Sequence, residues 1–94
     1  MSDTLLFAQF KDFKEDKEYQ IYLIRDLFGQ LSLVHYVGAK RKIKLFEDLN
    51  DAWKEAQHAC KVRLKHHFKL ITWEAVGMPT PEFVTAAMQD KPES

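Results

Sequence analysis

One segment of this chain, residues 49–64, has the apolar spacing of an α-helix, and three segments with β-strand character precede it. Its apolar residues recur at intervals of four, three, four and four, so they share one face at about 100° per residue. They are Leu49, Trp53, Ala56, Cys60 and Leu64, with Ala52 and Ala59 beside them. The opposite face carries Lys54, His58, Lys61 and Lys65. Asp48 is a suitable N-cap, and Asp51 in the first turn favours the helix dipole. We therefore expect a helix that packs its apolar face on a sheet and exposes a basic stripe to solvent.

The three preceding segments, 19–25, 31–37 and 40–46, are rich in aromatic and β-branched residues or alternate apolar with polar ones. Asp26 and Gly29 suit a turn between the first two segments. In the third segment, lysines alternate with apolar residues over the second half, which predicts a strand with one basic edge or face. The short connections predict an antiparallel meander.

The ends of the chain are less regular. Residues 5–10 suit either a first strand or a short helix, and the charged stretch 14–18 is typical of a loop. Residues 68–74 predict a final strand. The sequence Thr-Pro-Glu at 80–82 is typical of a helix start, and residues 90–94 of a frayed tail.

The length and composition agree with this order of elements. Ninety-four residues are enough for one hydrophobic core, and 46% of them are hydrophobic, including seven Phe, three Tyr and two Trp. We therefore predict an α+β fold: a small antiparallel sheet of about four strands packed against one amphipathic helix, plus a short C-terminal helix.

The formal net charge is zero, but the charge is unevenly distributed. Residues 40–69 hold nine Lys or Arg against four Asp or Glu, a local excess of five, between two acidic ends. Such a basic band indicates contact with nucleic acid or another polyanion, or else a well-solvated surface. Composition alone leaves both interpretations open.

The residues that most often carry chemistry show no catalytic or metal-binding pattern. His58, Cys60, His66 and His67 lack the paired spacing of a zinc site, and His58 and Cys60 fall on opposite sides of the helix. The chain has no nucleophile elbow, phosphate loop or dinucleotide fingerprint. We predict a non-enzymatic protein with no cofactor, in which Cys60 is a small buried residue and His35 a core or interface histidine.

The cellular setting follows from similar arguments. The single cysteine excludes an internal disulfide framework and suits a reducing compartment. The longest apolar runs are far shorter than the roughly 20 residues of a membrane helix, and the first residues do not look like a signal peptide. We expect a soluble cytoplasmic protein without a membrane partner.

Two connected segments resemble a known family. Residues 19–37, with a Tyr-x-Ile-x-Leu strand, an Asp-Leu-Phe-Gly turn and a Ser-Leu-Val strand, are similar to the opening of small bacterial WGR-domain proteins. The resemblance continues through a short basic strand, Phe46 and the alanine-bearing helix, and covers roughly residues 19–70. It implies a WGR-like domain at 18–76, preceded by an N-terminal strand or arm at 1–17 and followed by a short helix and tail at 77–94.

The chain departs from this family at its signature. The Trp-Gly-Arg motif falls on Val37, Gly38 and Ala39, so only the glycine is retained, and the Gly-Tyr after the helix is His67-Phe68. In DNA-dependent poly(ADP-ribose) polymerases this Trp stacks near a DNA end. A valine has no π surface and an alanine no guanidinium, so the resemblance implies the fold better than the function.

The remaining basic residues predict the site. Cations cluster directly after Gly38, where the resemblance implies contact with nucleic acid, and Tyr36 is the nearest aromatic that can stack on a base. The predicted DNA- or RNA-binding residues are Tyr36, Gly38, Lys40, Arg41, Lys42, Lys44, Lys61 and Lys65, and Arg63 extends them. The competing interpretation is that the strand lysines keep an edge strand soluble and unpaired.

A second function class also fits the sequence. Several aromatic residues lie outside the main helix, and a monomer of this size has difficulty burying all of them: Phe7, Phe10, Phe13, Phe28, Trp73 and Phe83. This surplus predicts a protein-interaction or adaptor module, homodimeric or bound to another protein, that does not bind nucleic acid.

Overall fold

Residues 3–89, the part of the chain that the computed structural model describes, form five strands and two helices. The strands are β1 (Asp3–Asp12), β2 (Lys17–Arg25), β3 (Leu31–Val37), β4 (Lys40–Phe46) and β5 (Lys69–Ala75). The helices are α1 (Leu49–Lys65) and α2 (Glu82–Gln89). The tail predicted at 90–94 lies outside the described residues. This order confirms the α+β class, with a sheet of five strands.

All five strands belong to one antiparallel sheet with the order β4-β3-β2-β1-β5. Strands β2 to β4 form the predicted meander, β1 adds a further strand beside β2, and β5 returns after α1 to pair with β1. The segment that suited either a strand or a helix is therefore an internal strand. Its alternate residues Leu6, Ala8 and Phe10 are completely buried, a period of two that only a strand produces.

The core lies between one face of the sheet and α1. Strand β2 contributes Tyr19, Ile21 and Leu23, and their neighbours on β3 are Leu31 and Leu33. On α1 the fully buried residues are Ala52, Ala56 and Cys60. Leu49, Trp53 and Leu64 pack at the margin of this core and are only partly buried. The apolar stripe of the helix is therefore centred on its small residues, which let the helix approach the sheet closely.

Local sequence signals set the ends of α1. The Asp48 side chain accepts a hydrogen bond of 3.2 Å from the Asn50 backbone N–H, which confirms the predicted N-cap. At the other end, the backbone N–H groups of His66 and Phe68 both donate to the Arg63 carbonyl oxygen. His67 between them has a φ of 70°, a left-handed conformation that ends the helix and turns the chain into β5.

Helix α2 packs beside α1 on the same face of the sheet. Trp73 of β5 lies between the two helices, with its ring centre 6.0 Å from that of Trp53 and 6.2 Å from that of Phe83. Val84 of α2 is buried against the core. Helix α2 begins at Glu82, within the start predicted at 80–82. Both helices cover the same face of the sheet. No helix within residues 3–89 covers the opposite face, which we call the open face.

Candidate nucleic-acid interface

Strand β4 lies at one edge of the sheet and pairs only with β3 among the described strands. Alternation divides its side chains between the two faces. Lys40, Lys42 and Lys44 stand in register with Val37, His35 and Leu33, so they lie on the helix side. Arg41 lies opposite Tyr36 on the open face. All four cations are exposed, and we call Lys40, Arg41, Lys42 and Lys44 the basic edge.

The cations of the basic edge form no ion pair with the described residues 3–89. Within residues 3–89 the ion pairs are Lys11–Asp16 at 3.4 Å and Lys17–Glu15 at 3.5 Å, both near the turn between β1 and β2. Neither of these two ion pairs involves a cation of the basic edge. The four cations are therefore free to meet an anionic partner, and they also protect the exposed edge from pairing with another strand.

The basic residues predicted on α1 do not join the basic edge as a group. The Lys61 ammonium lies 5.3 Å from the ring centre of Phe83 in α2. Because α2 packs beside β5, at the sheet edge far from β4, Lys61 belongs to the other side of the molecule. Lys65 is exposed in the last turn of α1. Arg63 is the helix cation that shares a cleft with Lys42.

That cleft lies between α1 and the sheet, with a volume of about 260 Å³. It is lined by Tyr19, His35, Val37, Lys42, Glu55, His58, Ala59, Val62 and Arg63. The Tyr19 hydroxyl and Nδ1 of His35 share a hydrogen bond, and the Arg63 guanidinium lies 4.2 Å from the centre of the Tyr19 ring. Tyr19 and His35 thus form a polar contact at the margin of the core, which sequence reasoning did not identify.

Burial sets the protonation of this pair. It raises the pKa of the Tyr19 hydroxyl, against the opposing effect of the Arg63 guanidinium. It lowers the pKa of His35, against the opposing effect of the Glu55 carboxylate. Both groups are therefore neutral at pH 7, and the cleft is also lined by the charged side chains of Lys42, Arg63 and Glu55.

The open face carries Tyr36, which the sequence predicted to bind nucleic acid, together with Phe7, predicted as part of the aromatic surplus, and Tyr22, which sequence reasoning assigned to no site. The ring centres of Tyr36 and Tyr22 are 5.8 Å apart, and those of Tyr22 and Phe7 are 4.8 Å apart. We call Phe7, Tyr22 and Tyr36 the aromatic row. Arg41 borders the same face. Tyr36, Tyr22 and Arg41 line a depression of about 340 Å³ with Gln20, Ile24, Val34 and Ile43.

Gly38, the residue retained from the family signature, has a structural role in the turn between β3 and β4. Its φ of 61° lies in the left-handed region that favours glycine. Its N–H donates to the Glu18 carbonyl oxygen at 3.3 Å. The groove around it is lined by the acids Asp16 and Glu18 as well as by lysines. An anionic ligand is therefore attracted more strongly to β4 than to this turn.

Residues 3–89 offer neither a metal site nor an exposed cysteine. No group of three or more His, Cys, Asp or Glu side chains in this range is arranged to hold a metal ion. Cys60 is fully buried, and burial raises the pKa of its thiol to about 12. In the same range, neither helix has the length and apolar character that crossing a bilayer requires.

Comparisons with models of protein families, with curated proteins and with solved structures find no match to this chain. The structure by itself defines the class of protein: a small α+β protein with two helices on one face of a five-stranded antiparallel sheet. Membership of the WGR family stays a prediction from the sequence.

Proposed function

We propose that this chain is a non-catalytic module that binds nucleic acid through the basic edge. The observation that carries the proposal is the set of four exposed cations on an edge strand, none of them paired with a carboxylate of residues 3–89. On an extended strand, Lys40, Lys42 and Lys44 repeat about every 6.6 Å along one side. They form a linear array of positive charge suited to a phosphate backbone.

We limit the proposed site to residues on β4 and beside it. Lys40, Arg41, Lys42 and Lys44 form its centre, with Arg63 beside Lys42 in the cleft. Tyr36 adjoins Arg41 on the open face. Lys61 lies on the far side of α1 and is no longer part of the proposed site. The resemblance to WGR domains supports a nucleic-acid role for this region but not their end-stacking mechanism, because Val37 replaces the tryptophan.

The proposal is tested by measuring affinity for short oligonucleotides at about 50 and 200 mM salt by fluorescence anisotropy. Changing Lys40, Lys42 and Lys44 together to glutamine removes three phosphate contacts. For a single strand, the slope of log affinity against log salt then becomes shallower by about 2.

A matched triple variant controls for the loss of net charge. Lys14, Lys54 and Lys69 are exposed lysines outside the basic edge, and their change to glutamine is expected to leave most of the affinity and the salt slope in place. Equal losses in the two variants would show that only net charge matters. The absence of binding to duplex DNA, single-stranded DNA and RNA at low salt would overturn the proposal.

Exposed apolar side chains favour a second candidate function, a protein-interaction module. Of the aromatics predicted as a surplus, Phe10 is fully buried, whereas Phe13 is 65% and Phe28 94% exposed. On β4, Ile43 and Leu45 are 54% and 60% exposed. Sedimentation equilibrium over a wide range of protein concentration tests self-association. A protein that stays monomeric at every concentration contradicts a homodimer.

A further inference from the structure

The open face has an unusual surface for one side of a sheet without a covering layer. In an antiparallel sheet with one covered face, the other face usually carries polar residues. Here the aromatic row occupies three adjacent strands, β1, β2 and β3. Aliphatic side chains continue the same face: Ile24, Val34, Ile43 and Leu45. An apolar surface of this kind indicates a contact area for a partner.

Charge indicates the chemistry of that partner. Arg41 borders the aromatic row beside Tyr36 and has no carboxylate partner within residues 3–89. The acids of this face stand farther from β4: Glu18 on β2, which accepts a hydrogen bond from the Gln9 amide, and Glu74 on β5. On its β4 side the open face thus carries a cation without a neighbouring acid, whereas farther from β4 the acids share the face with Lys11 of β1 and Lys69 of β5. A ligand that places anionic groups along β4 and flat apolar groups over β3 and β2 complements this pattern.

We infer that the open face is a stacking surface for unpaired bases, so that the nucleic acid bound by this module is single-stranded. This inference rests on the proposed function and adds to it the class of ligand. The phosphates of the strand lie along the outer side of β4, between Arg41 on the open face and the three lysines on the helix side, and its bases stack on Tyr36 and then on Tyr22. Stacking on aromatic rings tolerates any base sequence, whereas the bases of a duplex are already stacked on each other and do not reach such a surface.

Amide side chains on the same face add polar contacts without fixing a sequence. Gln20 lies on β2 in register with Tyr36, and its Oε1 accepts a hydrogen bond of 3.3 Å from the Tyr22 hydroxyl. Gln9 lies next to Gln20 on β1. These amides offer donors and acceptors to base edges along one row of the sheet, beside the rings that carry the stacking.

The inference is tested by removing the rings while keeping apolar volume. Tyr22→Leu and Tyr36→Leu are each expected to weaken binding of a single-stranded oligonucleotide by roughly fivefold to a hundredfold, the range for loss of one base–aromatic contact. Binding of a duplex of the same length is expected to stay within about twofold of the parent protein, because phosphate contacts dominate duplex binding. Phe28→Leu is the matched control, since Phe28 is an exposed aromatic in the turn before β3.

Other readouts keep the test decisive. Circular dichroism melting shows whether each leucine variant is folded, and NMR titration of the parent protein reports ring-proton shifts of Tyr22 and Tyr36. If single strands and duplexes bind equally and both leucine variants bind like the parent, the inference is wrong while the proposed function stands. If no polyanion binds at low salt, both are wrong. A dimer that Tyr22→Leu converts to a monomer would show that a second copy covers the open face.

Discussion

At the scale of single residues, the most informative contact joins Tyr19 and His35. The sequence placed His35 on a strand among Leu31, Leu33 and Val37, which indicated a core or interface histidine. The structure places it half-buried, with its Nδ1 in a hydrogen bond with the Tyr19 hydroxyl. Spacing within each strand does not reveal this pair, because it depends on the register between β2 and β3.

The lowered pKa of His35 makes the stability of the fold depend on pH. Burial lowers that pKa in the folded protein below the ordinary value of 6.5, so the unfolded chain binds more protons. The contribution of neutral His35 to the free energy of unfolding is complete above about pH 6.5. It is lost as pH falls through the pKa of His35 in the folded protein. The charged and polar groups that act on His35 are Tyr19 from β2, Lys42 and Lys44 from β4, and Glu55 and Arg63 from α1.

We expect the free energy of unfolding in urea to decrease as pH is lowered below about 6.5. His35→Gln is expected to flatten this dependence, because glutamine does not titrate. His66→Gln, a change at an exposed position after α1, is expected to keep it. If the parent protein and His35→Gln show the same pH dependence, His35 is not the group responsible.

At the scale of elements, local sequence signals determine some features of α1, and packing against the sheet determines others. Its start follows from Asp48 and its buried stripe from the helical period, and both were predictable from the sequence. How deeply each residue of α1 is buried was not predictable from the sequence. Ala52, Ala56 and Cys60 are fully buried, whereas the larger Trp53 and Leu64 pack at the margin. The small residues lie where the helix comes closest to the sheet. Only the packing of the two layers decides which residues of α1 these are.

Removing the N-cap tests the local part of this account. Asp48→Ala eliminates the side-chain acceptor of the Asn50 N–H and is expected to lower the free energy of unfolding by about 1 kcal/mol. Glu47→Ala removes a neighbouring exposed carboxylate that does not cap the helix, and we expect a much smaller change. Chemical denaturation measures both. Equal effects would mean that the loss of negative charge near the helix start, and not the cap, causes the destabilisation.

At the scale of the whole molecule, the position of β1 decides the architecture. Strand β1 lies between β2 and β5 and pairs with both. The sequence predicted an N-terminal strand or arm outside the WGR-like segment. In the structure, its residues Leu6, Ala8 and Phe10 form part of the core beneath the helices. This segment joins β5 to the meander.

We therefore expect a chain that begins at residue 13 to lose the cooperative fold. Without β1, strand β5 has no strand to pair with, and β2 loses the hydrogen bonds that it makes with β1. Thermal unfolding followed by circular dichroism measures the outcome. Phe13→Ala, a change at an exposed residue in the following turn, is expected to leave the melting temperature nearly unchanged. A truncated chain that unfolds as cooperatively as the parent contradicts this role for β1.

The sequence alone determined the strand or helix character of the segments from residue 19 onward, though not that of residues 5–10, and from these the α+β class. This was possible because the periods of two and 3.6 residues are local properties of the chain. Only the tertiary structure decided that β1 is internal, that Lys61 lies far from the basic edge, and that Phe7, Tyr22 and Tyr36 share an open face. The physical reason is that alternation separates the two faces of a strand without showing which face the helices cover. That choice depends on pairing and packing between segments far apart in the chain.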